Sequence, residues 1–246
     1  MYIVDISEHQ APSAINYDIF AKQISLAIVR VQYGFGYQDK HFKTHIKELQ
    51  KRGVPVAVYA WVRGKTIAEM GSEAKLFYDR AKEFNPVFWW LDVEEKSMTD
   101  MRGGVSAYQR KLRSLGAKKV GVYIANHFYK QFNLNFAEFD AVWVPHYGKN
   151  DGTHNSRPSY PCDLQQYTDT GRLPGYAWNL DLNAIISSKD ITFFTKGVEA
   201  VAEENKPKVD NDPDVYLSVR VRTSKADNLV KEIIKMGFAC KKLDLA

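Results

Sequence analysis

Two carboxylates separated by one residue, Asp92 and Glu94, end the apolar run Pro86-Val87-Phe88-Trp89-Trp90-Leu91. A run of this length and composition, opened by proline, predicts a strand buried on both faces. Side chains alternate along a strand, so Asp92 and Glu94 are expected to share a face. Paired carboxyl groups on one face suit acid/base chemistry on a glycosidic bond. The motif is short, and a polar strand end running into a solvated turn has the same spelling. The elements around it decide between the two.

Tyr2 to Ile6 reads as the first strand and carries Asp5 near its end. A helix is expected over 16–23, with Ile15, Ile19, Phe20 and Ile24 on its inner side. The second strand is 25–31, followed by the glycine-aromatic loop Tyr33-Gly34-Phe35-Gly36-Tyr37. Helix 41–52, ended by Gly53, leads to strand 54–61, helix 66–83 and the opening strand. A polar loop is then expected over 97–104, helix 106–115 capped by Gly116, and a fifth strand over 119–124. Residues 125–136 read as a loop with a short helix, and Ala141 to Pro145 as the sixth strand. A seventh strand is expected over 162–167, a very short eighth over 179–183, and a closing helix over 187–202. Repeated strand–helix units argue for a parallel sheet, and eight short apolar strands for a closed barrel of the α/β class. In such barrels chemistry sits at the C-terminal strand ends. There the chain collects Asp5, Arg30, Tyr59, Asp92, Glu94, Tyr123, His146, Gln166 and Asp181.

A chain of 246 residues, 45% apolar and 13% aromatic, can bury a large core. No apolar run reaches the roughly 20 residues of a membrane span. Met1 leads directly into the first strand, so synthesis in the cytoplasm without a signal peptide, and exit by another route, is expected. Cys162 and Cys240 are far apart and the six histidines show no ligand spacing, so no disulfide framework, metal or cofactor is expected. The net charge of +5 favours an anionic partner. Lysine and arginine form no concentrated stripe in the barrel, which argues against nucleic acid.

Taken together, several stretches resemble glycoside hydrolase family 25, the lysozymes of phages, bacteria and some fungi. They are Tyr2-Ile3-Val4-Asp5-Ile6-Ser7-Glu8-His9-Gln10, Phe88-Trp89-Trp90-Leu91-Asp92-Val93-Glu94, Gly121-Val122-Tyr123, Val142-Trp143-Val144-Pro145-His146-Tyr147, Leu164-Gln165-Gln166-Tyr167 and Leu180-Asp181-Leu182-Asn183. The resemblance covers residues 1 to about 195, with the motifs in order. It implies an irregular (β/α)5β3 TIM-like barrel that cleaves the β-1,4 bond between N-acetylmuramic acid and N-acetylglucosamine in Gram-positive peptidoglycan. By position, the family's acidic set falls on Asp5, Asp92, Glu94 and Asp181. Glu94 is then the expected general acid, its carboxyl kept protonated by aromatic surroundings such as Phe88, Trp89 and Trp90 and by nearby carboxylates. Asp92 would stay ionised and either stabilise charge at the anomeric carbon or orient the 2-acetamido group. Asp5 and Asp181 would steer these pKa values or bind sugar hydroxyls. Tyr59, Tyr123, Tyr147, Gln166 and Arg30 are the expected substrate-binding residues, Gln166 and Arg30 with a carboxylate as the other partner. His146 is read as structural. An alternative reading is a catalytically inactive glycan-binding protein on the same barrel.

Residues 1–202 form the expected catalytic barrel and the charged, proline-containing stretch 203–214 a linker. Residues 215–246 read as a small βαβ module. Too small to be comfortable alone, it is expected to bind a wall polymer or to pair into a homo-oligomer. It faintly resembles half of a SPOR-type peptidoglycan-binding domain.

Overall fold

A computed structural model describes residues 1–196. The expected linker 203–214, the module 215–246, Cys240 and residues 197–202 of the expected closing helix lie outside the described residues; within them that helix spans only Ile191–Thr195. The strands are β1 (Tyr2–Ile6), β2 (Ile24–Tyr33), β3 (Tyr37–Gln38), β4 (Val56–Trp61), β5 (Trp89–Val93), β6 (Val120–Ile124), β7 (Ala141–Pro145), β8 (Leu164–Leu173) and β9 (Tyr176–Ile185). The helices are α1 (Tyr17–Phe20), α2 (Phe42–Gln50), α3 (Ile67–Ala81), α4 (Met101–Leu115), α5 (Phe128–Gln131) and α6 (Ile191–Thr195). Among the described residues no helix is long and apolar enough to cross a membrane.

Eight strands close a barrel in the order β1, β2, β4, β5, β6, β7, β8, β9, and β1 pairs with both β2 and β9. Every pairing from β1 round to β8 is parallel, whereas β9 runs antiparallel to both neighbours. The two-residue β3 is an extra strand that folds back on β2. Helices follow the first strands and give out after β6, so the irregular (β/α)5β3 barrel is the architecture.

The alternation of strand side chains divides the molecule into two cores. Outward residues such as Trp89, Leu91 and Val93 pack under the helices, with Trp89 against Phe77 and Tyr78 of α3 at 5.1 Å. Inward residues fill the barrel: Ile3, Leu26, Ile28, Phe88, Trp90, Trp143 and Leu164, with Phe194 of α6 closing the lower end. Trp90 stacks on Phe88 at 4.6 Å and meets Trp143 edge-on at 5.5 Å. Gly121 of β6 makes room for it, since a Cβ there would overlap the Trp90 ring. Higher up, the same inward rows turn polar: Ile3 gives way to Asp5, Ile28 to Arg30, Trp90 to Asp92, Leu164 to Gln166.

Several expected elements differ. The stretch 97–104 is not all loop: α4 begins at Met101, with Asp100 capping it by accepting from the Gly103 N–H at 2.9 Å. The glycines there answer to packing, because a Cβ on Gly104 would meet the Met98 sulfur. The two last strands are ten residues each, turned at Pro174-Gly175. The helix near 16–23 has one α-helical turn, which leaves Ile19 exposed rather than inward.

Candidate active site

All nine sequence-predicted site residues line one cavity of about 360 Å³ at the C-terminal end of the barrel: Asp5, Arg30, Tyr59, Asp92, Glu94, Tyr123, Tyr147, Gln166 and Asp181. Each comes from the inward row of a strand or from just beyond its end. Asp92 closes the inward row of β5, buried at 4% exposure, and Glu94 follows two residues later and is half-buried. On the opposite wall Asp5 of β1 and Asp181 of β9 are register partners. Antiparallel pairing brings the start of β9 to the end of β1, which is why residues 176 apart in sequence meet here.

Asp5 is the most heavily held of the four acids. Gln166 donates to both its oxygens at 3.1 and 3.0 Å, and Asn183 Nδ2 donates to Oδ1 at 2.7 Å. The Gln166 carbonyl in turn accepts from the Tyr123 hydroxyl at 3.0 Å and from the Tyr147 hydroxyl at 2.7 Å. This two-sided use fixes the orientation of the amide. Burial raises the Asp5 carboxyl, and the donors from Asn183, Gln166 and a protonated Asp181 hold that rise back. Asp181 is pushed up to about 9 by burial and by the Asp5 charge, so at neutrality it keeps its proton and Asp5 carries the charge.

The second pair behaves similarly. Burial first, then the neighbouring Glu94 charge, raises Asp92 well above the carboxylate range. Glu94 is raised by burial, while a hydrogen bond from Asp92 opposes the rise. Both carboxyls are thus raised, and Asp92, the deeper group, is raised the more strongly. This differs from an Asp92 ionised throughout. One Asp92 oxygen, Oδ1, is buried without a hydrogen-bond partner among the described residues. The phenols of Tyr59, Tyr123 and Tyr147 are all raised by burial, so they remain protonated.

Arg30 is held by other carboxylates than the four: Glu8 at 3.1 Å and the fully buried Asp39 at 3.2 Å. Its charge still lowers Asp92 across the cavity. His146 does not line the cavity; its backbone N–H donates to the main-chain carbonyl of Gln166 at 2.9 Å and braces that strand end. Trp89 faces away from the acids, and the cavity's aromatic wall is Tyr59, Trp61, Tyr123, Trp143 and Tyr147. Sequence reasoning missed Trp61, Trp143 and Asn183 as site residues. Two had a readable signal, since Trp61 and Asn183 stand two residues beyond Tyr59 and Asp181 on inward rows.

The model of glycosyl hydrolases family 25 matches residues 4–176. The chain belongs to that family. As a family 25 glycosyl hydrolase it is similar to GHIP, a glycosyl hydrolase 25 of Streptococcus pneumoniae described as a virulence factor participating in host cell invasion. The two are 40% identical over 79% of this chain and 92% of that one, with a TM-score of 0.76. The catalytic domain of endolysin ply40 from bacteriophage P40 of Listeria monocytogenes is 27% identical over 76% of this chain and 94% of its own, with a TM-score of 0.71. The lysozyme of Streptomyces coelicolor, 19% identical over 78% and 95%, shares the fold at a TM-score of 0.64. No curated protein sequence matches this family 25 chain significantly.

Proposed function

We propose that this chain hydrolyses the peptidoglycan of a Gram-positive cell wall, cleaving the β-1,4 bond between N-acetylmuramic acid and N-acetylglucosamine, and that it acts as an endolysin that lyses the cell. The observation that carries the reading is the gathering of Asp92 and Glu94 with Asp5 and Asp181 inside one aromatic-walled cavity. The similarity to a phage endolysin catalytic domain supports the wall as substrate.

Glu94 is the general acid. In the free site the proton sits on Asp92, the more strongly raised group, and the substrate moves it. An acetamido N–H donating to the Asp92 carboxyl favours its ionised form, so the proton passes to Glu94. From there it goes to the glycosidic oxygen as the bond to the anomeric carbon breaks. Asp92, now a carboxylate, stabilises the positive charge on the sugar. Water completes hydrolysis, losing a proton to the Glu94 carboxylate. Asp5 keeps a fixed negative charge behind the pair, and Gln166 and Asn183 keep Asp5 in place. Tyr59, Tyr123 and Tyr147 present rings and hydroxyls to the sugar, and Arg30 frames the rim.

An acid set of this completeness favours hydrolysis over a binding-only protein. Glu94→Gln tests it. Purified wall suspensions should clear with wild type and not with Glu94→Gln, while the variant keeps its thermal unfolding temperature and still sediments with walls. Near-normal clearing by Glu94→Gln would overturn the assignment.

A further inference from the structure

A cavity of about 360 Å³ is near the lower end of ligand sites, whereas the substrate proposed above is a polymer. A glycan strand therefore has to cross the cavity rim. Over β2 and β4 that rim is the hairpin Tyr33-Gly34-Phe35-Gly36-Tyr37. Its base is tied to the cavity on two sides. Tyr33 is in register with Trp61, their rings are 5.0 Å apart, and the Gly34 N–H donates to the Trp61 carbonyl at 2.9 Å. Trp61 itself lines the cavity. On the other side the Tyr37 hydroxyl donates to Glu8, which pairs with the cavity residue Arg30.

The turn is seated firmly. Gly34 has φ +60°, and a Cβ there would press on the Arg63 side chain at 3.1 Å. Arg63 lies over the Tyr33 ring at 4.7 Å and pairs with Glu95, the neighbour of Glu94. On this pinned base Phe35 is 57% exposed and Tyr37 42%. Phe35 thus adds little to the core while standing beside the cavity. Trp61 adds a second aromatic surface on the cavity side of the hairpin.

We propose that this hairpin and Trp61 form an outer subsite for the glycan strand, taking sugars beyond those held in the cavity. Phe35 covers the apolar face of a pyranose ring, and the Trp61 ring continues that aromatic surface into the cavity. The inference rests on the peptidoglycan reading and adds to it a residue that senses chain length.

The test uses the full chain carrying Glu94→Gln, so that ligand is bound without turnover. Calorimetry compares two- and six-sugar N-acetylglucosamine–N-acetylmuramic acid oligomers on this protein, with and without Phe35→Ala. The expected result is a six-sugar affinity weakened about five- to tenfold by Phe35→Ala, an unchanged two-sugar affinity, and recovery with Phe35→Trp. Equal loss on both oligomers, or no loss on the longer one, overturns the subsite; wall digestion by wild type would then leave the hydrolase reading standing. Failure of both oligomers to bind the Phe35-containing protein removes the subsite and the peptidoglycan reading together.

Discussion

Asp181→Asn should make the protein more stable at mildly alkaline pH, and the size of the gain measures how the site stores its charge. Asp181 is pushed up to about 9 from an ordinary 3.8, with burial the largest cause and the Asp5 carboxylate next. Its folded pKa lies above its unfolded one, so between these values the folded state binds more protons than the unfolded chain. Stability is therefore lost as pH rises from the unfolded value towards the folded one. In the single-site limit the loss is roughly 1.4 kcal/mol for each pH unit. Asp5 shares the charge and Asp181 is partly open to solvent, so we expect about 2–4 kcal/mol between pH 4 and pH 8. Asparagine keeps an N–H to donate to Asp5 and has nothing to titrate. Urea unfolding of both proteins at half-unit pH steps reads the effect directly. The variant's stability should fall less steeply, giving a lead of about 2–4 kcal/mol by pH 8. Parallel curves from pH 4 to pH 8 would refute the assignment of the proton to Asp181.

Gln166→Leu removes the amide that donates to both Asp5 oxygens and accepts from two tyrosine hydroxyls, and should destabilise by about 3–5 kcal/mol in urea titration. Gly121→Ala drives a methyl group into the Trp90 ring and should destabilise by about 1–3 kcal/mol, read in the same way. Glu73, fully buried on α3, accepts from the Arg63 N–H at 3.1 Å and is pushed up to about 7 by burial. Wild-type stability should thus fall as pH rises from the unfolded value near 4.5 through 7. Glu73→Gln keeps the acceptor and should be about 1–2 kcal/mol more stable than wild type at pH 8 by urea unfolding.

The barrel and the acids were legible because inward rows on parallel strands follow a period of two. Asp92 and Glu94 could be placed on one face from spacing alone, and Gln166 from its position at a strand end. The full length of the β8–β9 hairpin has no local signal, because its ladder shifts register at several points and its outer half, Thr168-Asp169-Thr170-Gly171-Arg172, alternates without an apolar run. Helix α4 begins before the expected Ser106 because Gly103 and Gly104, loop residues by type, are selected by contacts with Asp100 and Met98. Trp89 is expected beside the acid and lies in the outer core instead, because a strand buried on both faces gives no sign of which face is inside. The anchoring of Arg30 by Glu8 and Asp39 joins three separate parts of the chain, and no local pattern announces it.

The most direct test of the proposed chemistry is mass spectrometry of the soluble products from purified Gram-positive peptidoglycan, with and without borohydride reduction. Cleavage guided by Glu94 and Asp92 at the proposed bond predicts reducible ends on N-acetylmuramic acid, absent from a Glu94→Gln digest. Reducible ends on N-acetylglucosamine, or the same products from Glu94→Gln, would contradict it.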